Sequence, residues 1–572
     1  MSEGIEMTSY LKELKGKFFE GEVRPFIEHS LEVIQNEWEN KNVFIIEAPT
    51  GYGKSTISAC LSKYSVEEEM KCVISYPLRS LLEDQHSKFS KVFPEDKIGR
   101  RYMHEQESRY LIRPVTLTTV DTLSLTLFGI PPEDLDKVMR GWDGTSIGSM
   151  GHYLFSWSSV LLSNLILDEV HLVADSTKSL NFLIALERIA IDSETKLILM
   201  SATIPKSLKE VLRGGIEEKV KLIEFKKDSD EKFLNERREK KYEVCIKKLN
   251  ERNKFEEMKN WMEDADGFKR RIVVFNTVKD AIDFYDLVSE NYGNVILLHS
   301  RFSMEDRGNK VNEMRKAIGK KEYLVISTQV IEAGVDVSSD LFITEIAPPN
   351  SLIQRLGRFL RYDNEKEGQI YIWYEDLPRE DQEKYKVYDL DLVNRTLEKL
   401  KLLKKMGNIG NGFFHDHEKY KKLLDGVYSK KDFSVEEREV NSLVKIMLNL
   451  RWGSIEAVRK FLDLEGSFVR EGLLVPVIQK DAVNNVSSVS DVYDKIIPVS
   501  VRTFTGRFSK RICGVIYSKD GEIEKVEDRK IRVPSRVEGL MRYVIGKRNF
   551  IAFLVDCEYD SSRGLILGDE NK

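Results

Sequence analysis

The hydrophobic pattern in the first part of the chain alternates between short aliphatic runs and longer stretches with helical spacing. Each aliphatic run ends at a polar or small residue, as buried strands of a parallel sheet do. The predicted strands are Val43–Glu47, Lys71–Ser75, Leu165–Leu167 and Lys196–Met200. Strands that alternate with helices indicate an α/β fold with a parallel sheet flanked by helices.

The same alternation restarts after a charged segment. Residues 226–271 are rich in Lys and Glu, and we interpret them as a charged helical insertion or linker. The strands predicted after it are Ile272–Phe275, Val295–Leu298, Tyr323–Ile326, Leu341–Ile343 and Gln369–Tyr374. The pattern therefore predicts a first α/β lobe at residues 1–225 and a second at 226–375, with the layout of two tandem RecA-like lobes.

Beyond residue 375 the pattern becomes helical and then β-rich, and we assign residues 376–572 to a C-terminal accessory domain. The predicted elements are helices at Tyr388–Met406, Val440–Leu448 and Ser454–Leu464, followed by a β-rich segment at Val475–Val555. Within Val501–Phe550, Lys and Arg outnumber Asp and Glu by about two to one, and aromatic residues are interspersed. This composition suits single-strand binding, but an aromatic core with solvated charges is the favoured alternative.

Composition narrows the class of protein. The chain has 572 residues, is 41% hydrophobic and 32% charged, and carries a net charge of −5, so nucleic-acid binding would need local basic patches. The five cysteines stand singly, which argues against a zinc site or a disulfide framework. No signal peptide or membrane span is recognisable, and we expect a soluble, cytoplasmic protein.

A strand, a glycine-containing loop and a helix start follow one another at the first candidate site. The loop Ala48–Thr56 places consecutive backbone N–H groups around an anion. Lys54 would reach the β- and γ-phosphates of ATP, and the Ser55 hydroxyl would bind Mg²⁺. The predicted nucleotide-binding residues are Thr50, Gly51, Gly53, Lys54, Ser55 and Thr56. Ala48 replaces the first glycine of the general pattern, so a chance Gly-Lys-Ser turn is the alternative.

An acidic pair follows a later strand of the same lobe. The end of Asn164–Leu167 delivers Asp168 to the Mg²⁺ side of the phosphate loop, and Glu169 is then placed to orient or deprotonate the attacking water. His171 is expected to contact the nucleotide-sensing motifs. Ser201 and Thr203 follow the strand Lys196–Met200 and are interpreted as the link between hydrolysis and strand binding, with an ordinary helix cap as the alternative.

The second lobe contributes a candidate for charge stabilisation. Arg358 and Arg361 lie three residues apart and Gln354 four residues before Arg358, so we expect all three on one helix face. An arginine that reaches the γ-phosphate is worth about 10³–10⁵ in rate. The alternative is a basic, solvated helix.

These motifs resemble those of the superfamily 2 helicases over roughly residues 24–362, most closely the helicase of type I CRISPR interference systems. The discriminating stretches are Ser75–Gln85, Thr118–Leu123, His299–Arg307 and Ser327–Asp336. The resemblance implies an ATP- and Mg²⁺-dependent motor that moves 3′→5′ on single-stranded DNA. It would act with a crRNA-guided surveillance complex of the Cascade type.

The resemblance also assigns roles to individual residues. Arg79 and Thr119 would contact the DNA backbone from the first lobe. From the second lobe, Thr328 and Gln329 would do so, together with Arg301 of the His-Ser-Arg-Phe motif. Asp336 would lie near the ribose of the nucleotide.

Two departures from the family pattern qualify this picture. Many members carry an HD-type metal nuclease ahead of the motor, whereas the eight histidines here are dispersed, so we expect a helicase-only subunit with a separate HD nuclease. The cluster His415-Asp416-His417 is interpreted as a loop.

Ile27 stands where related helicases have an adenine-reading Gln, and it cannot make that contact. An RNA helicase and an ATP-gated clamp that does not unwind remain alternatives.

Overall fold

The structure, a computed structural model, describes residues 6–566 except 103–104, 136, 138–151, 175, 319, 321, 333, 335, 376–386, 449, 471, 485, 509, 520–521, 528–532, 535 and 547–548. The chain divides into two compact units. Unit 1 consists of Met1–Asp230, Ser429–Leu473 and Arg532–Phe550, and unit 2 of Glu231–Tyr428, Leu474–Ile531 and Ile551–Lys572. The residues beyond 375 are thus shared between the two units, which differs from the single accessory domain predicted from the sequence.

Unit 1 is built on a seven-stranded sheet in which every pairing of neighbouring strands is parallel. Its strands are β1 Val43–Glu47, β2 Lys71–Tyr76, β3 Ile98–Arg101, β4 Val115–Thr119, β5 Ser163–Leu167, β6 Leu197–Ser201 and β7 Val220–Glu224. They are ordered β3-β4-β2-β5-β6-β1-β7. The central strands are buried along their whole length, as aliphatic runs covered on both faces should be. The four strands predicted for this lobe are confirmed.

Unit 2 contains a six-stranded sheet of the same kind, and its described pairings are also parallel. Its strands are β8 Lys241–Leu249, β9 Arg270–Val274, β10 Val295–Leu298, β11 Tyr323–Ser327, β12 Leu341–Glu345 and β13 Glu367–Glu375, in the order β10-β11-β9-β12-β13-β8. Apolar clusters cover both faces of this sheet. The two-lobe α/β prediction is therefore confirmed, because each unit has its own parallel sheet.

The charged segment is only partly helical. Between helices at Glu231–Arg238 and Lys254–Asp264 it contains β8, which was not predicted. This edge strand pairs in parallel with β13 from Lys241–Glu367 to Leu249–Glu375. Tyr242 and Val244 are buried, whereas the Lys and Glu residues between and beyond them are largely exposed. Charged side chains are common on edge strands because they discourage pairing with other chains, and this charge concealed the strand in the sequence pattern.

Helices connect the strands of both sheets. The described α-helices are α1 Tyr10–Leu14, α2 Pro25–Asn36, α3 Lys54–Glu67, α4 Arg79–Phe89, α5 Val120–Leu127, α6 His152–Leu161, α7 Thr177–Asp192, α8 Lys206–Arg213, α9 Glu231–Arg238, α10 Lys254–Asp264, α11 Val278–Val288, α12 Met304–Ile318, α13 Pro349–Leu356, α14 Leu390–Lys405, α15 His417–Val427, α16 Glu437–Leu448, α17 Leu450–Asp463, α18 Val489–Asp494 and α19 Val537–Gly546, with a short turn at Val501–Thr503. None of those described is long and apolar enough to cross a membrane.

The predicted β-rich segment forms a third sheet in unit 2. Its strands are β14 Leu474–Gln479, β15 Ile497–Ser500, β16 Ile512–Lys519, β17 Glu522–Glu527 and β18 Phe550–Val555, in the order β15-β14-β18-β16-β17, and a hairpin follows at β19 Glu558–Asp560 and β20 Gly564–Ile566. Phe504 and Phe508 are buried, and Phe504 packs on Phe553 at 5.0 Å between ring centroids. These two aromatic rings therefore belong to a core and are not a platform for bases.

Candidate functional site

The loop between β1 and α3 has the conformation that a phosphate-binding loop needs. Gly51 and Gly53 adopt φ values of 76° and 98°, which side chains rarely tolerate. A Cβ added at Gly53 would lie 3.2 Å from Ile27 Cδ1. Glycine at position 53 therefore allows the chain to turn tightly into α3, whose first N–H groups can face an anion.

Lys54, the first residue of α3, brings its ammonium group to the acidic pair. The side chain is only 8% exposed, and its Nζ lies 3.4 Å from the Ala48 carbonyl and 3.9 Å from Glu169 Oε1. Asp168 directly follows β5, and its N–H donates to Ser75 O at 3.0 Å. Loops at the carboxyl ends of parallel strands are where α/β sheets bind ligands. The structure thus brings Lys54, Asp168 and Glu169 together in unit 1.

The surroundings of Asp168 perturb its carboxyl group. Its pKa is raised to about 7, mainly by burial and also by the neighbouring carboxylate of Glu169, while Lys54 opposes both effects. Glu169 has a φ of 52°, an uncommon conformation for a residue with a side chain. Backbone strain of this kind concentrates at functional sites.

His171 connects the acidic pair to the Ser-Ala-Thr triplet. Its Nδ1 lies 2.8 Å from Ser201 Oγ and 3.4 Å from Glu169 Oε2. Burial lowers the pKa of His171 to about 4, so the ring is neutral at physiological pH. Ser201 Oγ also accepts from Thr203 N at 3.3 Å, and the helix that follows has no side-chain cap. Ser201 therefore joins two motifs, and the alternative of an ordinary helix cap is wrong.

The residues predicted to hold Mg²⁺ fit a divalent cation. Ser55 is the second residue of α3, and Asp168 is a nearly buried carboxylate beside a second carboxylate, a setting that favours a bound cation. Thr56 is 4% exposed and Thr50 is half-buried. Hard oxygen ligands from a hydroxyl and a carboxylate are those that Mg²⁺ prefers.

The arginines of unit 2 do not share a helix face. α13 ends at Leu356, and Arg358 and Arg361 lie in the irregular segment after it, where Phe359 bridges to Ser339. The prediction of one helix was wrong because Gly357 ends the helix between Gln354 and the two arginines. Gln354 remains on α13 and is 4% exposed.

Both arginines contact the segment that follows β11. Arg358 donates to the carbonyls of Ile331 at 3.1 Å and Glu332 at 3.0 Å. Arg361 pairs with Asp336, with Nε and Oδ1 2.9 Å apart. Asp336, predicted to lie near the ribose, is thus tied to an arginine predicted to act on the γ-phosphate.

Arg355 is a site residue that the sequence reasoning missed. It is fully buried, and its guanidinium donates to Glu332 Oε1 and Asn276 Oδ1, both at 2.9 Å. Arg355 therefore connects the segment after β9, which contains Asn276, to the segment after β11, which contains Glu332. The available signal was its position inside the Gln-Arg-Leu-Gly-Arg stretch.

The residues predicted to contact nucleic acid are divided between the two units. Thr119 caps α5 and is 6% exposed, and Thr328 is 2% exposed. Gln329 donates to Asn276 O at 2.9 Å. Arg79 begins α4, with its guanidinium 5.7 Å from the Tyr102 ring centroid, and Arg301 is half-buried. Their roles in binding DNA stay predictions.

The cluster His415-Asp416-His417 has structural partners. Asp416 caps α15 by accepting from Glu418 N at 3.1 Å, and His417 is the first residue of that helix. In the part of the chain that the structure describes, no group of three or more His, Cys, Asp or Glu residues is placed to hold a metal ion.

Comparison with known proteins shows what each of the two lobes resembles. Residues 28–211 match the DEAD/DEAH box helicases, and residues 268–364 match the C-terminal region of the CRISPR-associated nuclease/helicase Cas3. The chain is therefore similar in both lobes to the superfamily 2 helicases of the Cas3 kind. It is 24% identical over 500 residues to the putative CRISPR-associated nuclease/helicase Cas3 of Methanocaldococcus jannaschii, covering 80% of the chain but only 60% of that relative.

Solved Cas3 structures have the same fold. The structure called T. fusca Cas3-ATP superposes with a TM-score of 0.68 at 15% identity, over 98% of this chain and 72% of that one. A chain of a structure entitled CRISPR RNA-guided surveillance complex, pre-nicking, superposes with a TM-score of 0.59 at 16% identity, over 98% and 71%. At these identities the likeness shows the two-lobed Cas3 fold.

Proposed function

We propose that this chain is an ATP-driven motor that moves 3′→5′ along single-stranded DNA and unwinds target DNA. The observation that carries the proposal is the continuous set of contacts from Lys54 through Glu169 and His171 to Ser201. This set links the phosphate loop to a motif outside it, as coupling of hydrolysis to movement requires.

Each residue has a role that follows from its chemistry. Lys54 would neutralise the β- and γ-phosphates, and Glu169 would orient the attacking water and accept its proton. Mg²⁺, held by Ser55 and Asp168, would neutralise phosphate charge when bound. We assign Arg358 and Arg361 to charge stabilisation in the transition state, which is supported by their place in the Cas3-matching region.

The partners belong to the same proposal. A Cas3-fold chain in a structure entitled as an RNA-guided surveillance complex supports a Cascade-type complex as the assembly that opens the DNA. We propose that a separate HD nuclease cuts the unwound strand and that the motor acts in the cytoplasm. The purified chain is then expected to separate labelled strands without shortening them, which a denaturing gel measures.

A strand-displacement assay tests the motor reaction. Duplexes with a 3′ tail, a 5′ tail or no tail, in DNA and in RNA, are incubated with the chain and ATP. ATP-dependent release from the 3′-tailed DNA alone is expected. Hydrolysis without release would identify a clamp, release only from RNA would identify an RNA helicase, and release only from the 5′-tailed duplex would reverse the polarity.

A further inference from the structure

Four consecutive backbone carbonyls in the segment Phe359–Tyr362 are each held by a side chain from a distant part of unit 2. This segment contains Arg361 and directly follows Arg358. The pairs are Phe359 O with His415 Nε2 at 2.7 Å, Leu360 O with Lys240 Nζ, Arg361 O with Arg237 Nη1 at 3.0 Å, and Tyr362 O with Lys240 Nζ at 2.8 Å. In this segment, side chains thus donate the hydrogen bonds that backbone N–H groups donate to carbonyls within a helix or a sheet.

The local backbone explains why these donors are needed. The segment lies between the end of α13 and the start of β13, and Leu360 has a φ of 43°. Phe359 and Leu360 are fully buried. A buried carbonyl without a donor costs about 1–3 kcal/mol, so an irregular buried segment keeps one conformation only if its carbonyls are satisfied.

Lys240 is the central donor. It is fully buried, and its ammonium group also donates to Glu365 O at 3.1 Å, so each of its three protons has a carbonyl partner. The pKa of Lys240 is lowered to about 8, mainly by burial and also by the charge of Arg237. An ammonium group is costly to bury, which indicates that the segment it holds needs this fixation.

His415 completes the set in a defined tautomer. Because a carbonyl oxygen can only accept, Nε2 carries the proton that is donated to Phe359 O. Nδ1 therefore accepts from the Tyr242 hydroxyl at 3.1 Å, and that hydroxyl accepts from Phe414 N at 2.8 Å. Burial lowers the pKa of His415 to about 3, which keeps this neutral arrangement at physiological pH.

We infer that Lys240, Arg237 and His415 are positioning residues that fix the main chain carrying Arg361, and thereby hold the two arginines ready for the γ-phosphate. This rests on the proposed function of Arg358 and Arg361. It also gives the charged segment at residues 226–271 a structural role, because two of the three donors lie there: Arg237 on α9 and Lys240 directly before β8. It also gives one histidine of the His415-Asp416-His417 cluster a role other than metal binding.

The test compares two buried lysines of unit 2. Lys240→Met removes the donors to the arginine segment, whereas Lys254→Met removes a lysine, 2% exposed, that pairs with Asp280 at 2.8 Å and Glu375 at 3.1 Å. Both changes remove a buried ammonium group, and the second leaves two carboxylates uncompensated. Lys254→Met is therefore the matched control for lost stability.

The readout is ATP hydrolysis in saturating single-stranded DNA, with kcat and KM determined separately. Because a misplacement of about 1 Å can cost about 10²-fold in rate, we expect Lys240→Met to lower kcat by about 10- to 100-fold with KM for ATP nearly unchanged. Lys254→Met should keep kcat despite an equal or larger loss in melting temperature. If Lys240→Met does not fold, Arg237→Met, which removes the bond to Arg361 O, takes its place and should likewise lower kcat with KM for ATP nearly unchanged.

The Arg361→Ala variant distinguishes a failure of the positioning inference from a failure of the role proposed for Arg361. If Arg361→Ala lowers kcat but a folded Lys240→Met or Arg237→Met does not, the positioning inference is wrong and the proposed function stands. If Arg361→Ala leaves kcat unchanged, the role proposed for the arginine itself fails. Equal losses of kcat in Lys240→Met and Lys254→Met would also overturn the inference, since the effect would then come from stability alone.

Discussion

Replacing Glu169 by Gln should separate hydrolysis from stability. Glu169 lies 3.9 Å from Lys54 Nζ and 3.4 Å from His171 Nδ1, and its charge raises the pKa of Asp168. Gln keeps the shape but cannot accept the proton of the attacking water. General-base catalysis contributes about 10²–10⁴-fold in rate, so ATP hydrolysis should fall by that factor.

Stability is expected to change in the opposite direction or not at all. The Glu169→Gln change would remove a like charge beside the nearly buried Asp168, so the pKa of Asp168 should move back toward its ordinary range. The strained φ of 52° is unaffected, because both side chains share it. The variant should therefore melt at or above the temperature of the wild-type chain.

The chain offers a matched control in Glu69. This residue also has a positive φ, 57°, but it is exposed at the end of α3 and distant in sequence from the acidic pair. Glu69→Gln should leave hydrolysis unchanged. Single-turnover hydrolysis of radiolabelled ATP and binding of a fluorescent ATP analogue provide the assay. Wild-type turnover by Glu169→Gln, or a loss of turnover that tracks a loss of ATP binding, would contradict the role of Glu169 as the general base.

Three further predictions concern unit 1. Gly53→Ala should weaken ATP binding, measured by calorimetry, because its Cβ would lie 3.2 Å from Ile27 Cδ1 at a φ of 98°. Ser201→Ala should reduce strand displacement more than ATP turnover, because it removes the partner of His171; equal losses would contradict this. Glu187 is fully buried without a partner for its carboxylate among the described residues, and burial raises its pKa, so folding favours its protonated form. The contribution of Glu187 to stability should be lost as pH rises above about 4.5, the ordinary pKa of Glu, so Glu187→Gln should melt progressively higher than wild type across that range; a pH-independent difference would contradict this.

The first lobe could be predicted from sequence because its signals are local. The strand Val43–Glu47 appears as predicted, and the phosphate loop and acidic pair sit at strand ends that aliphatic runs had marked. Each of these motifs depends on residues that are neighbours in the chain. Parallel strands then bring the motifs to one edge of the sheet without further information.

The arginine segment could not be predicted because its conformation depends on distant residues. Helical spacing put Arg358 and Arg361 on α13, but Gly357 ends that helix. Two residues that hold the segment after it are distant in the chain: Lys240 lies 118 residues before Arg358, and His415 lies 54 residues after Arg361. The charge of residues 226–271 suggested only a helical insertion or linker, since composition does not reveal which lysine is buried.

ATP turnover by Lys54→Ala, with and without single-stranded DNA, is the measurement that probes the phosphate loop most directly. Lys63→Ala is its control, since Lys63 lies on the same helix and pairs with Glu13 at 2.7 Å. We predict that DNA stimulates turnover by the wild-type chain and by Lys63→Ala, and that Lys54→Ala folds but hydrolyses no ATP in either condition. Turnover by a folded Lys54→Ala chain at the wild-type rate would contradict the assignment of this loop as the phosphate site.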